Sequence, residues 1–346
     1  METRDYKYII AYLGPLFCWG GLYWQSYAAP GMFYLAFVLI PLLELILPQS
    51  RENPDRNTEK KREHHFFFDG VLYLHLPIVY GLLIYFFHLL STEPLSPLEQ
   101  MGLLLNMGTL LGAMGINIGH ELGHRPGFGD KVIAQFLLLP AHYLHFQIEH
   151  NIGHHKHVAT PEDPSTARKN ESVYTFWWRS VTGVYRKAWR IEADILERKG
   201  FSFFSWRNRM IRFTAAQLLY YGIIFFFWGA YVLAMAVIAG ILGFLLLETV
   251  NYIEHYGLLR KKLPSGRYEP VNIQHSWNSN HALGRIMLFE LTRHADHHFK
   301  ATRPYQVLRH YEESPQLPMG YPAAMLLSLI PPLWFKIVHR VQPRSE

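Results

Sequence analysis

The sequence predicts an all-helical integral membrane protein, and two observations lead to that prediction. The chain of 346 residues is 50% hydrophobic and only 17% charged, whereas soluble domains carry about 25% charged residues. Several uncharged apolar stretches also reach the roughly 20 residues that a helix needs to cross a bilayer. Because lipid offers no hydrogen bonds to an open backbone, such stretches are expected to be helices.

Six stretches are expected to span the membrane as three hairpins. The uncharged run from Phe213 to Leu247 is too long for one span, so residues 228–231 are expected to form a turn within it. The stretch 132–148 is expected to be a buried or interfacial helix. The predicted spans lie near 8–27, 31–47, 71–90, 101–119, 211–228 and 230–254.

Loop charges predict the orientation. The expected outer turns, 28–30, 91–100 and 228–231, contain no Lys or Arg, whereas segment 49–69 contains five. Basic loops stay in the cytoplasm. Both termini are therefore predicted to be cytoplasmic, and segments 120–210 and 255–346 are predicted to form a helical cap there. The whole chain, 1–346, is expected to be one membrane-embedded domain.

The cysteine count and the net charge limit the kinds of metal site and binding partner that the chain can have. Cys18 is the only cysteine, which excludes an internal disulfide, a cysteine-based zinc site and an iron–sulfur centre. The net charge of +6 is interpreted as contact with anionic lipid and an acidic partner, because the basic residues flank apolar spans. Nucleic acid is not an expected partner.

Nine histidines occur in four clusters at the ends of apolar stretches. On a helix, positions i and i+4 share a face, so His120 is expected to point with His124, and His150 with His154. His255 is expected to face His120 and His124 across the bundle. The nine candidate metal ligands are His120, His124, His150, His154, His155, His255, His294, His297 and His298.

Nine imidazoles exceed the needs of one metal ion and suit two. Imidazole binds iron, zinc, copper and nickel, and iron is the expected metal for dioxygen chemistry, since zinc has no redox chemistry. Carboxylates within the clusters are expected to orient the histidines and relay protons. Glu121, Glu254 and Asp296 are the candidates for these roles, with Glu149 and Asp163 nearby.

Two other classes fit part of the pattern. The segment from His120 to His124 matches HExxH, the signature of zinc proteases, but a protease would leave the clusters at His150 and His294 without a purpose. A metal transporter would hold its ligands near the bilayer midplane, whereas these clusters gather at one membrane face. Both are weaker interpretations than a two-metal enzyme.

The histidine clusters lie within five longer sequence segments. They are His120–Pro126 (HELGHRP), Glu149–Pro164 (EHNIGHHKHVATPEDP), Asn251–Arg260 (NYIEHYGLLR), Gln274–Asn280 (QHSWNSN) and Leu291–Leu308 (LTRHADHHFKATRPYQVL). In these segments the chain resembles the integral-membrane alkane 1-monooxygenases (alkane ω-hydroxylases), within the wider group of membrane fatty-acid desaturases and hydroxylases. The histidine clusters alone fit the whole group, and NYIEHYG is the more specific segment.

The resemblance implies that the nine histidines bind two non-haem iron ions. It also implies that dioxygen and two electrons hydroxylate the terminal methyl of a medium or long n-alkane. The implied donor is a separate rubredoxin, reduced by an NAD(P)H-dependent rubredoxin reductase, and the implied location is the bacterial inner membrane. Alternatives are a hydroxylase of alkyl side chains, as on xylene, and a fatty acyl desaturase.

An apolar channel is expected to admit the alkane from the bilayer end-on, so that shape determines which carbon meets the metals. The first, second, third, fourth and sixth spans are expected to line it. His157, His275 and His281 have no role assigned by the sequence.

Overall fold

The computed structural model describes residues 2–343, and no β-strand occurs among them. The prediction of an all-helical chain is therefore confirmed for these residues. In chain order the helical segments are Thr3–Tyr12, Leu13–Trp24, Ser26–Ala28, Gly31–Tyr34, Leu35–Leu39, Ile40–Glu44, Arg56–Glu63, Phe66–Tyr73, His75–Thr92, Pro97–Leu110, Leu111–Ile116, Asn117–Gly123, Phe128–Leu138, Phe146–Ile148, Glu149–His154, His155–His157, Val173–Arg198, Arg209–His255, Ala282–Met287, His294–Phe299, Tyr305–Val307, Tyr321–Ser328 and Pro331–Val341.

Three helical stretches in the described part of the chain are long and apolar enough to cross a membrane. They are Phe66–Thr92, Pro97–Gly123 and Arg209–His255. Gly31–Glu44 is a shorter apolar helix, and it carries the buried Glu44, whose carboxylate accepts the backbone N–H of Gly284 at 2.9 Å. That hydrogen bond explains how an acidic residue is tolerated at the end of an apolar helix.

The longest helix is interrupted at Gly229. This residue has φ +83° and ψ 178°, a backbone conformation that is almost restricted to glycine. The interruption lies within residues 228–231 and separates a helix of residues 209–228 from one of residues 230–255.

Glycines bring the Pro97–Gly123 helix against the second half of the longest helix. A Cβ added to Gly108 would lie 2.5 Å from Cβ of Leu242, and one added to Gly112 would lie 3.0 Å from the carbonyl oxygen of Gly243. Small residues four apart allow such close backbone approach between apolar helices. The two helices end at the histidine clusters, so this packing aligns His120 and His255 at one end of the bundle.

The stretch 132–148 does not form the single helix expected from its composition. Phe128–Leu138 is helical, the chain then turns, and a short helix begins at Phe146. His142, in the turn, has φ +59°, and Pro140 precedes it. The turn allows the histidines that follow to approach the end of the Pro97–Gly123 helix.

A long amphipathic helix, Val173–Arg198, packs against the longest helix. Its buried face includes Phe176, Val184, Ala188 and Leu196, at the helical spacing expected of an apolar stripe. This helix places polar residues beside the second histidine cluster.

Candidate metal centre

The structure brings all nine predicted histidines together in two adjacent groups. Within each group, the ligand atoms all lie within 4.8 Å of one another. The five-histidine group consists of His120, His124, His150, His155 and His297, and the four-histidine group consists of His154, His255, His294 and His298.

The Nε2 atoms of the five-histidine group converge. Nε2 of His120 lies 2.8 Å from Nε2 of His150 and 3.1 Å from that of His297. Nε2 of His155 lies 3.1 Å from that of His150. Two donors at a right angle, each about 2.1 Å from an ion, would be about 3 Å apart. The spacing therefore fits imidazoles around one common ion.

The four-histidine group has the same spacing. Nε2 of His294 lies 3.1 Å from Nε2 of His255 and 2.9 Å from that of His298. Nε2 of His154 lies 3.2 Å from that of His298. This group therefore also fits one ion, and the two groups together fit a pair.

Burial favours the neutral form of five of these imidazoles. It lowers the pKa of His150, His155 and His297 well below the ordinary value, and it does the same to the pKa of His294 and His298. A neutral imidazole retains the lone pair that binds a metal. The donor set thus suits a transition metal such as iron.

A π-helical turn over Glu149–His154 divides the second cluster between the two groups. The N–H of His155 donates to the carbonyl of His150, five residues earlier, so these two rings point together. His154 points instead into the four-histidine group. The expectation that His150 and His154 would share a group is therefore wrong, because it assumed α-helical spacing. Such π-helical turns often occur at functional sites.

His255 also lies elsewhere than expected. It joins His154, His294 and His298, not His120 and His124. Nδ1 of His255 lies 3.5 Å from the hydroxyl of Ser276, in the segment after the longest helix.

Of the three candidates Glu121, Glu254 and Asp296, only Glu254 reaches a clustered histidine in the described chain. Its Oε2 lies 3.2 Å from Nε2 of His294, the nitrogen that also faces the other rings of the four-histidine group. Its other oxygen, Oε1, is buried without a hydrogen bond. The carboxylate therefore lies where it could complete the ligand set of a metal ion.

The other two predicted carboxylates point away from both groups. Glu121 accepts the backbone N–H of Tyr305 at 3.2 Å. Asp296 is bound by the guanidinium of Arg303 and by the backbone N–H of Arg309. Within residues 2–343, neither carboxylate bonds to a histidine of the two groups, so their observed contacts hold neighbouring backbone and arginines.

Asp163 holds the outer nitrogen of a histidine. Its Oδ2 lies 2.9 Å from Nδ1 of His154. Burial opposes ionisation of Asp163, but His154 and then Lys187 more than offset it and hold the pKa of Asp163 below the ordinary value. This contact fixes the ring so that Nε2 faces the four-histidine group.

Lys187 was not predicted from the sequence. Its Nζ lies 2.9 Å from Oε1 of Glu149 and 3.8 Å from Oδ1 of Asp163. The sequence did contain a signal for a buried ion pair. Lys187 lies beside the apolar face of an amphipathic helix, between the buried residues Val184 and Ala188.

The three histidines without an assigned role lie outside both groups. Each has a local partner within about hydrogen-bonding distance, as expected for structural histidines. The partners are Glu162 for His157 at 2.9 Å, Glu269 for His275 at 3.2 Å and Ser279 for His281 at 2.9 Å.

An apolar cavity, hereafter the substrate cavity, ends at the two groups. His120, His150 and His294 line it together with Glu254. The remainder is mostly apolar, with lining residues such as Met32, Phe37, Ala113, Leu246 and Met325, and its polar members are Thr109, Asn117 and Asn251.

The helices around the substrate cavity differ from those expected. Gly31–Glu44, Pro97–Gly123 and the second half of the longest helix line it, as do residues near 284–291 and 322–325. The helices Leu13–Trp24 and Phe66–Thr92 contribute no residue to this lining, so the expectation for the first and third spans is wrong. A second apolar cavity shares Phe37, Thr109, Leu246 and Met325 with it and continues the space away from the histidines.

Comparison with known proteins agrees with this geometry. The family model "Fatty acid desaturase" matches residues 100–328. Alkane 1-monooxygenase 1 of Alcanivorax borkumensis is 38% identical, with 97% of this chain and 84% of the relative aligned. Alkane 1-monooxygenase of Ectopseudomonas oleovorans is 38% identical, with 98% and 85% aligned.

The chain belongs to the alkane 1-monooxygenase family. A more distant relative is the hydroxylase component of the xylene/toluene monooxygenase of Pseudomonas putida, 29% identical over 95% of this chain and 85% of that one. The resemblance inferred from the histidine clusters is thus confirmed. The chain is a membrane enzyme of the monooxygenase class, an oxidoreductase.

Proposed function

We propose that this chain hydroxylates the terminal methyl of medium or long n-alkanes to 1-alkanols. The reaction consumes one dioxygen, two electrons and two protons, and releases one water. The main evidence for this proposal is that histidines of both groups line the apolar substrate cavity. The family relatives named for alkanes support the substrate class.

The nine histidines are proposed to hold two iron ions, one in each group. When bound, iron supplies the dioxygen activation and the oxidation of the C–H bond. Glu254 is proposed to offset part of the metal charge in the four-histidine group, where its carboxylate lies 3.2 Å from His294. The protein favours the neutral form of the buried imidazoles whose pKa it lowers, orients His154 through Asp163 and excludes water.

The apolar lining supports an alkane over a polar lipid. The lining offers an alkyl chain little hydrogen bonding, so the alkane is held by shape alone and one end reaches His120, His150 and His294. A fatty acyl substrate carried by a charged group would need a polar entrance to this cavity. An alkyl side chain on an aromatic ring is the second candidate, favoured by the xylene/toluene relative.

Glu121 and Asp296 are proposed to act indirectly. Glu121 contacts the backbone at Tyr305, and Asp296 fixes the loop after the fourth cluster through Arg303 and Arg309. A role in proton transfer is proposed for Glu254 ahead of these two, because only Glu254 contacts both the substrate cavity and a histidine.

Six spans in a bacterial inner membrane, with both termini and the metal centre in the cytoplasm, are proposed as the setting. The helix breaks at 25–30, 93–96 and 229 coincide with the loops that lack Lys and Arg, which supports this orientation. Segments 120–210 and 255–346 would then form the cytoplasmic cap. A separate, reduced rubredoxin, supplied by an NAD(P)H-dependent reductase, is the proposed electron donor, and the basic chain suits an acidic partner.

Product analysis tests the proposal directly. The purified chain in lipid nanodiscs, with rubredoxin, its reductase and NADH, is given octane, hexadecane or p-xylene. We expect 1-octanol and 1-hexadecanol, with close to two irons per chain by metal analysis. A chain that desaturates its substrate, that oxidises xylene alone, or that holds one zinc and no iron would refute the proposal.

Two histidine-to-alanine variants, one inside and one outside the histidine groups, provide a matched comparison. His255→Ala is expected to abolish alcohol formation, because His255 belongs to the four-histidine group. His281→Ala removes a half-buried histidine outside both groups and is expected to leave the rate within about twofold.

A further inference from the structure

A polar cavity, separate from the metal centre, lies where the N-terminal helix meets the loop near residue 52 and the segment before His294. Its volume is about 80 Å³, several times the space that one water occupies on this scale. We call it the basic pocket, because its charged lining in the described chain consists of Arg4, Lys7, Arg62, Arg285 and Arg293, against Glu52 and Glu290.

One buried carboxylate, that of Glu290, forms ion pairs with three of these cations. Oε1 of Glu290 lies 2.9 Å from Nζ of Lys7. Oε2 of Glu290 lies 2.7 Å from Nε of Arg285 and 3.6 Å from Nε of Arg293. Because a single negative charge is shared by three positive ones, this side of the pocket has an excess of positive charge.

Two buried guanidinium groups also have unused donors. The Nε–H groups of Arg62 and Arg293 are buried and make no hydrogen bond within residues 2–343, although another nitrogen of Arg62 pairs with Asp5. An unsatisfied buried donor is costly. Burial also lowers the pKa of Lys7, and Arg285 and Arg293 act in the same direction although Glu290 opposes them. The unpartnered guanidinium donors indicate that an anion would stabilise this pocket.

The surroundings of the pocket favour a lipid as the source of that anion. Tyr6 and Ile9 are each 48% exposed and Ile10 is 39% exposed, on the same helical turns as Arg4 and Lys7. A soluble anion would make no favourable contact with the exposed apolar side chains. A phospholipid would, because its acyl chains lie next to its phosphate. An aromatic and two aliphatic side chains next to basic ones are typical of the membrane interface.

We propose that the basic pocket binds the phosphate of an anionic phospholipid from the cytoplasmic leaflet. This assignment rests on the proposed orientation, in which the first helix enters the bilayer just after Lys7. Phosphate oxygens would accept hydrogen bonds from Arg4 and Lys7 and would offset the charge of Arg62 and Arg293. The lipid would thereby link the first helix to Arg293, the residue before His294, and would stabilise the fourth histidine cluster.

Lipid binding is measured on the full-length protein in neutral detergent micelles. Native mass spectrometry counts bound phosphatidylglycerol, and thermal unfolding with added phosphatidylglycerol, phosphatidylcholine or inorganic phosphate reports stabilisation. We expect about one tightly held phosphatidylglycerol per chain and a Tm increase that neither phosphatidylcholine nor phosphate reproduces.

A pair of double variants isolates the pocket. Arg4→Gln with Lys7→Gln is expected to weaken phosphatidylglycerol binding by about tenfold. Lys60→Gln with Lys61→Gln removes the same charge from exposed residues of a neighbouring helix outside the pocket and is expected to change binding by less than about twofold. Arg4→Gln alone changes an exposed residue whose one ion pair within residues 2–343 is with Glu2. This variant should fold normally and weaken binding by about threefold.

Three results would overturn the assignment. Equal weakening in both double variants would indicate general attraction to a basic surface. Full stabilisation by inorganic phosphate would make the pocket a site for a soluble anion. Equal binding of phosphatidylcholine would show that the negative headgroup is not recognised. None of these measurements depends on hydroxylation, so the outcome is independent of the proposed activity.

Discussion

Nε2 of His294 lies 3.2 Å from a carboxylate oxygen of Glu254, and the same nitrogen faces the rings of His255 and His298. The carboxylate therefore points into the four-histidine group. Asp163 differs, because it contacts Nδ1 of His154, the ring nitrogen that faces away from the group. An anionic oxygen among neutral imidazoles offsets part of the charge of a bound metal ion. This difference in position predicts different consequences for the two acids.

Replacing Glu254 by Gln removes that charge while it preserves the shape of the side chain. We expect alkane hydroxylation to decrease by about 10- to 100-fold, with loss of iron from one of two sites. Rate and iron content are measured on the same preparation. Glu121→Gln, on a buried acid that contacts no histidine of either group, is the comparison and should retain two irons. Full activity in Glu254→Gln would remove the carboxylate from the site.

Replacing Asp163 by Asn removes the anionic acceptor behind His154. The imidazole then loses its orienting partner, and iron affinity is expected to decrease by about 10- to 100-fold. Competition with a chelator measures that affinity. Glu162→Gln is the matched control, because Glu162 is a neighbouring exposed acid whose partner is His157. Equal iron affinity in the two variants would contradict the orienting role.

The substrate cavity predicts a chain-length effect. Ala113 lines it, and Ala113→Phe would fill part of the space that a long alkyl chain needs. The ratio of hexadecane to octane hydroxylation is expected to decrease by about tenfold, the usual scale of an overpacking penalty. Gas chromatography of mixed-substrate reactions gives the ratio.

A substitution on the outer surface controls for the added aromatic ring. Leu219 is 66% exposed and lines neither apolar cavity. Leu219→Phe should therefore leave the product ratio unchanged. If Ala113→Phe gave the same ratio as Leu219→Phe, the alkane would have to reach the metals by another route.

The depressed histidine pKa values predict how the metal-free protein responds to pH. Each of these imidazoles has an ordinary pKa of 6.5, and burial lowers it in the folded protein. Below pH 6.5 the unfolded chain therefore binds more protons than the folded chain, so folding stability decreases as the pH decreases. Glu149 acts in the opposite direction, because burial raises its pKa to about 7. Outside the membrane-spanning segments, five of the clustered imidazoles act against it.

Thermal unfolding of chelator-treated protein checks this prediction. The Tm should be nearly constant above about pH 7.5 and should decrease between about pH 7 and pH 5. Iron-loaded protein should begin its decrease at lower pH, because bound metal keeps the imidazoles deprotonated. A Tm that increases on acidification would show that the histidines are not neutral in the folded protein.

The helix break provides a test of stability alone. Gly229 has open space around its Cα and a φ of +83°, so Gly229→Ala should destabilise by about 1–3 kcal/mol through backbone strain. Gly222→Ala, also in open space but in regular helix, should be neutral or stabilising by up to about 1 kcal/mol. A similar Tm for the two variants would indicate that residue 229 can adopt a helical conformation.

The sequence determined the helical class, the membrane character, the family and the nine histidines that converge in the structure. The helical class and membrane character follow from apolar runs without charge. Most of the histidines follow from their spacing of three to five residues, whereas the family follows from the resemblance of longer motifs such as Asn251–Gly257. The sequence also predicted a break within residues 228–231, because an uncharged run too long for one span must contain a break.

Tertiary structure alone decided how the histidines divide into five and four, which acid faces them and which helices line the substrate cavity. The sequence suggested α-helical spacing, but a π-helical turn at Glu149–His154 directs His154 and His155 into different groups. Glu121, Glu254 and Asp296 are all next to a clustered histidine or one residue away from it, yet only Glu254 reaches a ring. Spacing along one helix fixes direction only relative to that helix, whereas convergence depends on how separate helices pack.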